Sequence, residues 1–200
     1  MNAYTIRAHG IGKRFSKKFL FRNIDLELRM GESLCVTGPN GSGKSTLLRI
    51  LACLLPPTEG TVDHLRDDGI PSTDPWAGYT GPLVNPYPEL TVMENLTFAS
   101  RGNGSLSAGA IIEALGLDEY RNRQVRHCSS GTVQRLRLAA AAVNNPPALI
   151  LDEPTMNLDD EGKERFERFL DRMRAVRIII IATNDRSEER ICGRVVRLGL

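Results

Sequence analysis

Tryptophan, cysteine and histidine are scarce in this chain of 200 residues, which holds one Trp, four Cys and three His. Cys35, Cys53, Cys128 and Cys192 stand far apart with no Cys-x-x-Cys pair. That spacing argues against a zinc site or a redox dithiol and predicts buried, reduced thiols. His9 and His64 have no carboxylate or cysteine pattern around them and read as surface or packing residues. An excess of one charge is lacking too: 26 Lys and Arg face 24 Asp and Glu, a formal +2. A nucleic-acid binder driven by bulk charge is therefore not expected. The longest strongly apolar runs, residues 138–143 and 178–183, are about a third of the roughly 20 residues that a membrane-spanning helix needs. Arg7, Lys13, Arg14, Lys17 and Lys18 interrupt any apolar segment near the N-terminus, so no signal peptide is expected and the cytoplasm is the expected compartment.

What is present has the organisation of one α/β domain, for which this length suffices. Ile24, Leu26, Leu28 and Met30 alternate with polar residues, and Tyr4, Ile6 and Ala8 do the same. Period two over such lengths predicts antiparallel strands with one wet face, an N-terminal lobe over residues 1–32. Residues 33–37 are a short apolar strand that enters a Gly-rich loop, followed by a helix carrying Leu47, Leu48, Ile50, Leu51 and Leu54 and ended by Pro56-Pro57. A short strand is expected near Tyr79. Residues 82–143 read as a helical subdomain in which Ser107 caps a helix over residues 108–115. Residues 148–151 and 177–183 are continuous apolar strands flanking a helix over residues 160–175, and residues 194–200 can add one more strand. Such strands predict a mostly parallel sheet covered on both faces, a core made of residues 33–81 and 144–200. Arg186, Glu188, Glu189 and Arg190 read as a solvated helix face.

Two motifs carry chemistry. Gly38-Pro39-Asn40-Gly41-Ser42-Gly43-Lys44-Ser45, with Thr46 after it, fits G-x-x-x-x-G-K-[ST] between a strand and a helix. Glycines let successive N–H groups turn inward, and the helix N-terminus adds about half a positive charge to hold an anion. Lys44 would reach the β- and γ-phosphates of a nucleotide, and the Ser45 hydroxyl would ligate Mg²⁺. The second motif is the strand 149–151 ending in Asp152-Glu153. Adjacent carboxylates at a strand end are costly unless a cation opposes them, so Asp152 is the candidate metal partner. Glu153 is the candidate base for the attacking water.

Between them lies His127-Cys128-Ser129-Ser130-Gly131-Thr132-Val133-Gln134-Arg135, and after them Pro154-Thr155 and Asn157-Leu158-Asp159. In this order the motifs resemble the nucleotide-binding subunit of an ATP-binding cassette (ABC) transporter, with a P-loop NTPase core, over essentially the whole chain. The resemblance implies an ATPase that binds ATP and Mg²⁺ and pairs head to tail as a homodimer. Ser129, Ser130, Gly131 and Asp159 would then meet the nucleotide held by the second copy. It implies integral membrane transporter subunits docking near Pro82 to Glu94, a peripheral place at the inner face of the cell membrane, and no nucleic-acid partner. An aromatic from the N-terminal lobe would stack on adenine: Phe15 is the best match and Phe19 the alternative. Five positions, in three motifs, depart from the family pattern. The signature differs at Cys128, Ser130 and Thr132; the family's glutamine falls on Pro82 or Leu83; and the switch histidine falls on Asn184, whose amide cannot carry a proton. ATP binding is thus better supported than fast hydrolysis. The short, trimmed cassette most resembles the ATP-binding subunits of haem exporters in cytochrome c maturation. An exporter of lipids or drugs, or a nucleotide-gated regulatory module, are the alternatives. Trp76 reads as a packing residue of a Pro-rich loop, with partner contact as the alternative.

Overall fold

The computed structural model describes residues 4–66, 69, 77–100 and 106–199, so Trp76 lies outside the described residues. Strands β1 (Thr5–Phe15) and β2 (Lys18–Arg29) form the predicted antiparallel hairpin. Strand β3 (Ser33–Thr37) leads through the Gly-rich loop into helix α1 (Lys44–Leu51). β4 (Glu59–Leu65) pairs antiparallel with β1, so the small sheet has the order β2-β1-β4. Residues 59–65 therefore belong with the lobe, although the sequence pattern put them in the core; their partners on β1, from Gly12↔Glu59 to Thr5↔Leu65, are too far back in the chain for a local pattern to reach.

After β5 (Ala77–Thr80) come α2 (Val92–Ala99), α3 (Leu106–Ala114), two short 3₁₀ turns and α4 (Ser130–Ala142). β6 (Ala148–Asp152), α5 (Asp160–Arg174), β7 (Ile178–Ala182), a 3₁₀ turn (Arg186–Ile191) and β8 (Arg194–Arg197) complete the chain. The second sheet has five strands in the order β5-β6-β7-β3-β8, every neighbouring pair parallel. Alternation explains why β6 and β7 are apolar without interruption. Ala148, Ile150, Ile178 and Ile180 point into a core shared with α1 and the antiparallel lobe. Leu149, Leu151, Ile179 and Ile181 point into a core shared with α4 and α5, including Phe166 and Phe169. Each fully buried aliphatic side chain contributes roughly 1.5–3 kcal/mol.

Three local expectations change. Helix α1 stops at Leu51: Cys53 turns left-handed (φ 56°), and its N–H and that of Leu54 donate to the Ile50 and Arg49 carbonyls. This closing pattern satisfies the last carbonyls five residues before Pro56 and leaves Leu54 exposed. Helix α3 starts at Leu106, so Ser107 sits in its first turn rather than at its cap. Of the thiols only Cys35 is buried; Cys53 is exposed, and Cys128 and Cys192 are half-buried. A hydrogen bond with Cys192, together with burial, raises the Cys35 pKa, a pairing that 157 positions of separation concealed. Among the described residues no helix is long and apolar enough to cross a membrane.

Candidate active site

Because the five strands are parallel, their carboxyl ends meet at one edge, where an open α/β sheet places its ligands. The register sets Val36 and Asp152 on either side of Ala182, and Thr80 beside Leu151. The loops that leave β3, β5, β6 and β7 thus converge.

The loop from β3 wraps as its glycines require. At Gly38 (φ 149°) a Cβ would lie 2.4 Å from the Leu198 carbonyl oxygen. At Gly43 (φ 102°), the N-cap of α1, it would lie 2.6 Å from Leu20 Cδ2 on β2. The hairpin therefore packs on the loop, with Phe15 at its tip paired to Lys18. Phe15 is 54% exposed, whereas the ring of Phe19 lies between Arg22, 4.2 Å from its centroid, and Arg14 at 5.6 Å. Ser42 and Thr46 are buried, and Ser42 Oγ has no hydrogen-bond partner.

Lys44, Asn40, Glu153 and Asn184 converge. The Lys44 ammonium donates to the carbonyl of Gly38 at 2.9 Å, to that of Pro39 at 3.4 Å and to Asn184 Oδ1 at 2.7 Å. Asn184 Nδ2 donates to Asn40 Oδ1 at 2.8 Å and to Glu153 Oε1 at 3.0 Å. Glu153 has a left-handed backbone, φ 50°, a conformation that costs of order 1–3 kcal/mol outside glycine. Its N–H donates to the Ala182 carbonyl at 2.8 Å, and its carbonyl accepts from Gln134 Nε2 at 3.2 Å. Burial pushes the Glu153 carboxyl above the ordinary range, against the opposing pull of the Lys44 charge.

Asp152 is 2% exposed, and its Oδ1 has no hydrogen-bond partner. Burial raises its pKa, while the Ser45 and Tyr79 hydroxyls and the Arg49 and Lys44 charges lower it. A buried carboxylate oxygen without a partner, next to a serine hydroxyl, is a donor set that suits a hard divalent cation.

The other predicted residues lie apart. Among the described residues no hydrogen bond joins Ser129, Ser130, Gly131 or Asp159 to residues 38–46. Ser129 is the N-cap of α4 and accepts from the Thr132 N–H at 3.2 Å; Ser129 and Ser130 are exposed. A Cβ on Gly131 would come within 3.0 Å of the Asn157 carbonyl, so the start of α4 lies against the loop after β6. Asp159 caps α5 by accepting from the Gly162 N–H at 2.8 Å. Pro82 is exposed, and Leu83 is 76% exposed with neither side chain offering an amide.

Sequence patterns passed over two contributors and gave a third, Gln134 of the quoted motif, no role of its own. Gln134 also donates to the Pro154 carbonyl at 2.9 Å, tying α4 to the loop of Glu153. Tyr79, expected only as part of a strand, brings its hydroxyl to Asp152, and burial pushes its pKa up to about 12. Glu188, expected on a solvated helix face, is 3% exposed within a 3₁₀ turn. No spacing rule marked Tyr79 or Glu188.

The sequence model of the family described as ABC transporter matches residues 21–156. "Cytochrome c biogenesis ATP-binding export protein CcmA 2" of Cupriavidus metallidurans is 34% identical over 90% of this chain and 90% of its own length. "Nod factor export ATP-binding protein I" of the same organism is 33% identical over 95% of this chain and 66% of its own length. Among solved structures, the dimeric structure of a post-hydrolysis state of the ATP-binding cassette MJ0796 bound to ADP and Pi aligns with a TM-score of 0.83. It is 28% identical and covers 96% of this chain and 94% of that one. Fold, motif order and these likenesses agree: the chain belongs to the ABC transporter family, as one of its ATPase subunits.

Proposed function

We propose that this chain binds Mg²⁺-ATP over residues 38–46, hydrolyses it slowly, and pairs head to tail with a second copy to drive export through separate membrane subunits. The observation that carries this reading is the convergence of Lys44, Asn40 and Glu153 on the Asn184 amide, beside the partnerless oxygen of Asp152. A γ-phosphate oxygen would take the place of Asn184 Oδ1 as acceptor for the Lys44 ammonium. Backbone N–H groups of the loop and the N-terminus of α1 would hold the β-phosphate. Ser45 and Asp152 would hold Mg²⁺, which when bound neutralises charge on the phosphates. Phe15 would stack on adenine. Glu153 would take the proton of the attacking water, and the upward direction of its pKa, set by burial, is the direction that strengthens a base. Asn184 can orient phosphate or water but carries no charge, which is why turnover is expected to be slow. Ser129, Ser130 and Gly131 would cradle the γ-phosphate bound by the partner, with Asp159 beside the seam.

The membrane subunits would dock over residues 82–94, where Leu83, Tyr87 and Met93 are exposed apolar side chains. The chain would then sit at the inner face of the cell membrane. The cytochrome c biogenesis relative favours haem export as the task; the Nod factor export relative, of similar identity, favours a second reading in which another molecule is exported. Steady-state ATPase assays test the proposal. Glu153→Gln is expected to lower kcat by about 10²-fold or more and Asn184→His to raise it. An unchanged rate in Glu153→Gln would show that Glu153 is not the base. With co-purified membrane subunits, stimulation of the ATPase by haem supports the haem reading, and its absence moves the chain to the second reading.

A further inference from the structure

We infer that Glu188 is a positioning residue for hydrolysis, its buried carboxylate tying the loop after β6 to the loop after β7. Carboxylates are almost never this deeply buried unless paired, yet among the described residues no cation is hydrogen-bonded to Glu188. The Thr155 hydroxyl donates to Glu188 Oε1. The Thr183 hydroxyl faces the same carboxyl, and Oε2 is buried with no hydrogen-bond partner. Burial raises the Glu188 pKa, and the two hydroxyls lower it. Burying a carboxylate with no cation beside it costs stability.

The two threonines say what the carboxylate is for. Thr155 lies two residues after Glu153, and Thr183 immediately precedes Asn184. Glu153 has a backbone that persists only where its surroundings over-determine it. Its own N–H is fixed to Ala182 and its carbonyl to Gln134. Beside the direct Asn184–Glu153 hydrogen bond, Glu188 supplies a second link between the two loops, from Thr155 on the far side of the first to Thr183, the neighbour of Asn184. Loosening it shifts Glu153 against the attacking water and leaves the phosphate loop, which Glu188 does not touch, able to bind ATP. A misplacement of about 1 Å is enough to cost a large part of the rate.

The inference rests on the reading of Glu153 as the base, so Glu153→Gln accompanies its test. Steady-state ATPase kinetics are measured on the full chain with Thr155→Val, Glu188→Gln, Glu188→Ala and the double variant Thr155→Val/Glu188→Ala. Thr155→Val and Glu188→Ala are expected to lower kcat about 10-fold with KM for ATP within about twofold. Glu188→Gln, which keeps an acceptor oxygen for Thr155, recovers most of the rate. The double variant is no slower than Glu188→Ala alone, because both remove one link. If Glu188→Ala does not fold, Thr155→Val decides, since it alters a half-buried loop side chain. Wild-type kcat in Thr155→Val, with Glu153→Gln inactive, overturns this inference alone; an active Glu153→Gln overturns the reading beneath it. A lowered melting temperature with unchanged kcat reduces Glu188 to a packing role and also overturns the inference.

Discussion

At the scale of single residues, exposure separates candidates that the sequence leaves equal. Phe15 and Phe19 sit four apart in one hairpin, and either ring could stack on a base. Phe19 is already engaged by two guanidinium groups, while Phe15, more than half exposed at the hairpin tip, meets one cation, the Lys13 ammonium 5.4 Å from its ring centroid. Base–aromatic stacking contributes about 1–3 kcal/mol. Phe15→Ala is accordingly expected to weaken ATP binding by roughly 5- to 150-fold, and Phe19→Ala to leave it within about twofold, as read by titration with a fluorescent ATP analogue. Equal losses in both variants would remove the distinction. That Lys44, Asp152 and Glu153 meet at the carboxyl edge of the sheet was legible because the two motifs set these residue types at fixed distances from strand ends. Glu188 and Tyr79 were not, since their roles depend on what faces them across the sheet, and Asn184 was legible only as a departure.

At the scale of elements, the lobe is fastened to the core by a histidine that the sequence marks only as unremarkable. His64 on β4 is buried; its Nε2 lies 2.8 Å from the Leu51 carbonyl at the end of α1, and its Nδ1 lies 2.5 Å from the Tyr4 hydroxyl. A carbonyl can only accept, so Nε2 carries the hydrogen, and in the neutral ring Nδ1 accepts from Tyr4. Burial lowers the His64 pKa below its ordinary value. As pH falls through about 6.5 the unfolded chain takes up a proton that the native ring resists, so native stability declines with acidification. The raised carboxyls of Asp152, Glu153 and Glu188 act in the opposite sense, because there the native state binds the extra protons. Comparison with His64→Gln isolates the imidazole: urea midpoints between pH 7.5 and 5.5 are expected to fall more steeply in the parent chain. Parallel slopes would mean that His64 contributes nothing to the pH dependence. The same scale explains how α2 begins. Thr91 accepts from the Glu94 N–H at 3.1 Å while Glu94 accepts from the Thr91 N–H at 2.7 Å, a reciprocal cap that starts α2. Local hydrogen-bonding rules had already encoded it, whereas the pairing of β4 with β1 depends on long-range contact and was missed.

At the scale of the molecule, parallel strands were legible because burial on both faces leaves no polar alternation. Their order, β5-β6-β7-β3-β8, was not, since it is set by which helix covers which face. That order leaves the start of α4 outside the cluster of Lys44, Glu153 and Asn184, with the Ser129 hydroxyl spent on its own helix. A second copy turned head to tail would bring its own α4 N-terminus, and about half a positive charge, to the γ-phosphate. Blocking hydrolysis should trap that arrangement. Glu153→Gln with Mg²⁺-ATP is therefore expected to double its mass in light scattering, and to remain a monomer with ADP. Ser130 supplies the control. It is exposed in the first turn of α4, where an aspartate favours the helix dipole and leaves the fold intact, yet that same charge would repel a phosphate presented by the partner. Adding Ser130→Asp to Glu153→Gln should abolish the doubling while each monomer still binds ATP. A dimer that survives Ser130→Asp would mean that α4 does not face the partner's nucleotide, and a Glu153→Gln chain that stays monomeric with ATP would remove the head-to-tail pairing itself.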